Sequence, residues 1–98
     1  MARRRQLALL ENASASGSSV DWPGGTGVMY AEGTFSGATV KLQTQSPNGT
    51  WMDVGSATTF TANGVGAFIL PAGPIKAVIS GGPPSAVYAY VVGVPSNI

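Results

Sequence analysis

The stretch from Gly33 to Gly55 carries the pattern that most limits what this chain can fold into. Between Val40 and Gln45, apolar or β-branched residues alternate with long polar ones. Since successive side chains of a strand point to opposite faces, this alternation predicts a strand with one buried and one wet face. The segment Ser46–Gly49 joins a proline to Asn-Gly, which favours a tight turn, and Trp51–Val54 then returns as a second strand. The run therefore predicts β-structure and holds few groups that could perform chemistry.

The rest of the chain follows the same scheme of short strands and sharp turns. Strands are predicted over residues 20–22, 28–35, 38–45, 50–56, 58–61, 66–70, 75–80 and 86–94. Turns rich in Gly, Pro and Asn separate them at roughly 8–12 residues, which is typical of sandwiches and jelly rolls and leaves no room for crossover helices. We predict an all-β fold, a small antiparallel β-sandwich of jelly-roll type with about seven or eight strands.

The chain of 98 residues has the length of one domain. Residues 1–19 are expected to form an extended N-terminal arm or first strand and a linker, and residues 20–98 the sandwich. The pattern of residues 6–12 does not separate a helix from a strand. The apolar run Leu7–Leu10 is too short for a secretion signal, and no stretch approaches the about 20 apolar residues of a membrane span.

The scarcity of charge points to a surface that is covered by other molecules. Charged residues make up 9% of the chain, against about 25% in ordinary soluble domains. A chain so poor in charge suits a homo-oligomer, a dimer or a trimer, although a surface of Ser, Thr, Asn and Gly would also be wet. The net charge of +1 makes nucleic acid an unlikely partner.

The composition argues against catalysis. The chain has no histidine and no cysteine, which removes the usual general base, the thiolate nucleophile and the common ligands of transition metals. Among the four carboxylates, Glu32 and Asp53 fall on neighbouring predicted strands and could approach as a glycosidase pair, but a structural role is favoured. We expect no enzyme activity, no metal and no cofactor.

Two parts of the chain are candidates for binding. The first is the basic and apolar start of the chain, where six residues are predicted to anchor it to an acidic partner protein: Arg3, Arg4, Arg5, Leu7, Leu9 and Leu10. The second is the last strand, which is apolar on both faces. One face of that strand packs in the core, and the other, with Tyr88, Tyr90 and Val92, is predicted to be a subunit interface. The alternative is a central strand covered on both sides by its own domain.

Several of these features together resemble small structural proteins of tailed bacteriophages. The resemblance rests on the run Tyr30–Gln43, the turn and tryptophan of Ser46–Trp51, the Leu-Pro-Ala-Gly turn at Leu70–Gly73, the pair Gly81-Gly82 and the Tyr-containing strand Val87–Val92. It covers most of the chain, and the basic start before an Ala/Ser/Gly stretch is also similar. These motifs are turns and strands, and none of them is catalytic.

The resemblance implies a virion component, made in the host cytoplasm, that decorates the capsid exterior as a cement protein. Its partners would be the major capsid protein and further copies of itself. A component of a fibre, connector or tail is the alternative. As a receptor- or carbohydrate-binding module, such a protein would expose aromatic rings such as Trp22 or Trp51, although packing in the core is the more common fate of such residues.

Overall fold

The structure is a computed structural model that describes residues 6–13, 16–82 and 84–93. Over these ranges the chain forms nine strands and one 3-10 turn, Ser56–Thr58. The strands are β1 (Gln6–Ala13), β2 (Val20–Trp22), β3 (Gly25–Thr34), β4 (Thr39–Gln45), β5 (Trp51–Asp53), β6 (Thr59–Phe60), β7 (Gly64–Leu70), β8 (Gly73–Ser80) and β9 (Ser85–Gly93). Each strand predicted from residue 20 onward is present with small shifts at its ends. The number of strands is higher than predicted because residues 6–13, where the sequence did not distinguish a helix from a strand, form β1.

The strands form two antiparallel sheets. The first sheet has the order β1-β9-β3-β7, and the second has the order β2-β8-β4-β5, with β6 pairing beside β5 on the same edge of β4. Apart from β4, β5 and β6, consecutive strands lie in different sheets, so the chain crosses between the layers at most of its connections. The architecture confirms the predicted antiparallel β-sandwich, and the strand order is compatible with jelly-roll connectivity. The start of the chain is part of this fold, since β1 is hydrogen-bonded to β9 at one edge of the first sheet.

The hairpin between β4 and β5 forms where the opening pattern predicts it. Gln45 pairs with Trp51, and the Gly49 N–H donates to the Ser46 carbonyl at 2.8 Å across the turn. Gly49 has φ 88°, a left-handed conformation that glycine adopts without strain. The alternation of the same run is also confirmed, because Val40 and Leu42 are fully buried while Lys41 and Gln43 are partly exposed.

The core lies between the sheets and is built from alternate residues of each strand. Its fully buried large side chains include Trp22, Met29, Leu42, Ile75 and Val91. The Trp22 and Phe68 rings pack with their centroids 5.1 Å apart at a tilt of 56°, an arrangement that aromatic pairs favour.

Glycine at position 27 makes room for these two rings. Gly27 lies in β3 between Phe68 of β7 and Gly93 of β9. A Cβ atom added there would lie 2.6 Å from Cη2 of Trp22 and 2.7 Å from Cζ of Phe68. The aromatic pair can therefore lie against β3 near the start of the strand only because this residue has no side chain.

Candidate functional surfaces

The outer side of the first sheet is an apolar face that is partly open to solvent. We call it the tyrosine face. Its main side chains come from β3, β7 and β9 and are Tyr30, Val65, Ile69, Tyr88, Tyr90 and Val92. Three of them are well exposed, with 39% of Tyr30, 60% of Val65 and 77% of Ile69 open to solvent. Exposed apolar side chains gathered on one side of a sheet are characteristic of an interaction surface.

The register of the strands explains how these side chains meet. Tyr30 is the direct cross-strand partner of Tyr90 on one side and of Val65 on the other, so the three form one row across the sheet. Tyr88 and Tyr90 stack with their ring centroids 6.4 Å apart. The neighbouring row holds Val92, which is buried and pairs with Val28. The predicted interface residues Tyr88, Tyr90 and Val92 thus lie together on the outer side of β9, while the alternate residues of that strand enter the core.

The tyrosine face has an acidic border. Glu32 of β3 pairs with Tyr88, and Glu11 lies on β1, at the other side of β9. Desolvation raises the pKa of Tyr90, and the negative charges of Glu11 and Glu32 raise this pKa further. Both effects disfavour the phenolate form, so Tyr90 is neutral at physiological pH.

The sequence analysis missed the contribution of β3 and β7 to this face. The signal that could have revealed it is the run of apolar residues from Val28 to Ala31, since a strand that is apolar at consecutive positions has apolar side chains on both faces. The same reasoning was applied to β9, where the apolar run is longer. In β7, the exposed Val65 and Ile69 are separated by glycine, alanine and the buried Phe68. The sequence of β7 therefore has the pattern of a strand with one buried and one exposed face, and it does not mark the exposed face as apolar.

The predicted anchor at the start of the chain divides into two groups. Leu9 and Leu10 are buried in the core, with 5% and 3% of their surface exposed, and Leu7 is half-buried against the same cluster. Their side chains therefore hold β1 to the sandwich and are not presented at the surface. The other predicted anchors, Arg3, Arg4 and Arg5, lie outside the described residues.

The outer side of the second sheet is polar and contrasts with the tyrosine face. The Asp53 carboxylate accepts a hydrogen bond from Nε2 of Gln43 at 2.8 Å and pairs with Nζ of Lys41 at 3.3 Å. The Gln43 hydrogen bond, together with Lys41, lowers the pKa of Asp53. Nζ of Lys76 lies 4.3 Å from the centre of the Trp51 ring, which is a cation–π contact.

Two possibilities raised from the sequence are corrected by these positions. Glu32 lies on the outer side of the first sheet and Asp53 on the outer side of the second, so the two strands are not neighbours and the carboxylates do not share a cleft. Trp22 is only 1% exposed and packs in the core, so it is not an exposed sugar-binding ring. Trp51 is half-buried, and Lys76 lies over it.

The clefts of the described chain are open and shallow. One cleft of about 410 Å³ is lined by Gln6, Leu7 and the segment Asp21–Pro23, and another of about 490 Å³ lies beside Tyr30 and Asn63. Across the described ranges no three acidic side chains come together as a metal site, and no helix is long and apolar enough to cross a membrane. The tyrosine face is therefore the surface feature that most favours binding.

No protein-family model and no curated protein matches the chain. Similarity is found among solved structures. SPBc2 prophage-derived protein YomS is similar over 92% of this chain and 91% of its own, with a TM-score of 0.70 and 10% sequence identity. PBSX exported protein XepA is similar over 93% of this chain, with a TM-score of 0.64 and 19% identity, but the match spans only 38% of XepA. At these identities the likeness shows a shared fold: YomS is similar from end to end, and XepA contains a comparable sandwich within a longer chain.

Proposed function

We propose that this protein is a structural component of a bacteriophage particle, and that within the particle it decorates the outside of the capsid. The observation that carries the proposal is the fold shared over nearly the whole length with a prophage-derived protein, YomS. The turn and strand motifs from Tyr30 to Trp51, which resemble small structural proteins of tailed phages, support it independently. The shared fold and the sequence motifs both support a role in the virion. The position on the outside of the capsid is supported only by the resemblance to small structural proteins of tailed phages.

The physical properties of the domain suit this role. A decoration protein adds contact area across the joints between capsid subunits, and many weak contacts replace a few strong ones. Short strands joined by tight turns form two sheets that enclose one apolar core, so the described residues make up a single packed body. The sequence Arg3–Arg5 immediately precedes β1 and supplies the positive charge that an acidic capsid surface would attract.

The structure defines how the capsid contact is to be tested. Deletion of residues 2–10 would remove Leu9 and Leu10 from the core and would unfold the domain instead of testing its binding. Replacement of Arg3, Arg4 and Arg5 by alanine leaves β1 intact. Binding of this variant and of the unchanged protein to capsids purified from the same phage is measured by co-sedimentation at two salt concentrations.

We expect the variant to bind more weakly, and we expect added salt to weaken the unchanged protein more than the variant. The matched control replaces Lys41 and Lys76, which lie on the second sheet, by alanine. Equal binding by all three proteins would contradict the role of the basic segment. Mass spectrometry and electron microscopy of whole particles test the wider proposal, which fails if the protein is absent from purified virions.

A further inference from the structure

We propose that the tyrosine face is a self-association surface, on which the same face of a second copy of this chain packs. The proposal extends the predicted contact of Tyr88, Tyr90 and Val92 from one strand to the whole sheet, because Tyr30, Val65 and Ile69 continue the same surface. It concerns the purified protein alone, so it holds or fails independently of the position of the protein in a virion.

The size of the face suits a weak dimer. The first sheet is four strands wide, which at about 4.8 Å per strand gives roughly 19 Å. β3 and β7 pair over residues 25–31, and about 3.4 Å per residue gives roughly 24 Å along the strands. The footprint is roughly 450 Å² per copy, so two copies together cover roughly 900 Å². An area below about 1,200 Å² is typical of weak and transient interfaces.

The chemistry of the face also suits a second copy. Its centre is the row of Tyr90, Tyr30 and Val65, with side chains that are large, stiff and mainly apolar. Aromatic residues with a polar tip bury much area at a small cost in side-chain entropy and are enriched at interface centres. Two sheets that pack face to face stack at about 10 Å, with the side chains of their inner faces interdigitating. A face that is complementary to itself forms a closed dimer and needs no second kind of surface.

The positions of the charges suit a symmetric dimer whose two-fold axis lies in the plane of the interface and passes through the middle of the face. Glu11 and Glu32 flank Tyr88 near the beginning of β9, whereas Tyr90 and Val92 continue towards its end. A two-fold axis that reverses the strand direction places the acidic border of each copy over the part of the other copy's face that holds the uncharged side chains of Val92 and Ile69. The four carboxylates then lie at two separate borders, where water can solvate them, and like charges are not brought together.

Sedimentation velocity of the full-length chain between about 1 and 100 μM tests the proposal, since this range covers the Kd expected for a small apolar interface. The central variant is Tyr30→Lys, and the second is Ile69→Lys at a position 77% exposed, where the change does not disturb the core. The matched control is Met52→Lys, because Met52 is an apolar residue 54% exposed on the second sheet. Circular dichroism confirms that each variant is folded.

We expect the unchanged protein to be dimeric and the Tyr30→Lys protein to dissociate with a Kd at least about tenfold higher. Ile69→Lys, nearer the edge, should have a smaller effect in the same direction, and Met52→Lys should have none. The proposal is overturned if the unchanged protein is a monomer over the whole range. It is also overturned if Met52→Lys weakens assembly as much as Tyr30→Lys, since the partner would then present its second sheet.

Discussion

The packing at Gly27 allows a sharp test of how the aromatic pair is built into the core. The change is Gly27→Ala. The added Cβ atom would lie 2.6 Å from the Trp22 ring and 2.7 Å from the Phe68 ring, at least about 0.7 Å inside the ordinary contact distance of about 3.4 Å. The rings or the strands must therefore move apart to accept a single methyl group.

The expected loss of stability follows from two opposing effects. Overpacking a close-packed core costs about 1–3 kcal/mol, and the contacts with two rigid rings place this site towards the upper end. Replacing glycine by alanine within a strand regains about 0.5–1 kcal/mol of backbone entropy. We therefore expect Gly27→Ala to lower the free energy of unfolding by about 2 kcal/mol, which for a domain of this size lowers Tm by roughly 8–16 °C.

The assay is urea unfolding at a fixed protein concentration, followed by far-UV circular dichroism, because association would make stability depend on concentration. Trp22→Phe removes the ring atoms nearest to Gly27 and completes a double-mutant cycle. We expect the two changes together to cost at least about 1 kcal/mol less than their sum. A Gly27→Ala protein that is as stable as the unchanged one, or a cycle that is additive, would refute the reasoning.

Three further predictions follow from the core and from the titrating groups. Leu42→Ala should lower the free energy of unfolding by about 2–5 kcal/mol because Leu42 is fully buried, whereas Met52→Ala at an exposed site should change it by less than about 0.5 kcal/mol in the same urea assay. Because the pKa of Asp53 is lowered in the folded state, its contribution to stability is present above the unfolded pKa of about 4 and is lost as the pH falls. In the Asp53→Asn protein, Tm should therefore fall less steeply than in the unchanged protein as the pH is lowered through about 4. Because the pKa of Tyr90 is raised, the folded state loses stability as the pH rises above about 10, and Tyr90→Phe should reduce that alkaline loss in the same measurement.

From residue 20 onward, the sequence was sufficient to predict the strands because local rules determine them. The alternation around Val40 and the Asn-Gly turn before Trp51 act over a few residues, so the hairpin could be predicted. The pairing of strands depends instead on distant parts of the chain. Glu32 and Asp53 lie on strands that the sequence suggested as neighbours, but the chain crosses to the other sheet at Ser36-Gly37. No local pattern specifies that crossing.

The candidate surface could be predicted only in part for the same reason. The outer side of β9 was identified because that strand is apolar at consecutive positions. The contribution of Tyr30 and Val65 depends on β3 and β7 lying beside β9, which is a property of the sheet order. For Leu9 and Leu10 the sequence suggested a surface role that the sheet order rules out. An apolar segment beside a basic run predicted an anchor, but β1 pairs with β9 and these two side chains are buried in the core.

The pairing of β1 with β9 has a consequence for how the protein is made. β1 cannot acquire its neighbour until β9 has left the ribosome, because the cross-strand partners Leu7 and Val91 are 84 residues apart along the chain. Closing so long a loop costs conformational entropy before the contacts that stabilise the closed form are made. Folds dominated by such pairings therefore form slowly. We expect the nascent chain to remain incompletely folded until β9 has emerged, with its apolar strands open to chaperones and to other copies. We expect assembly to begin only when β9 has paired with β1 and the first sheet is complete.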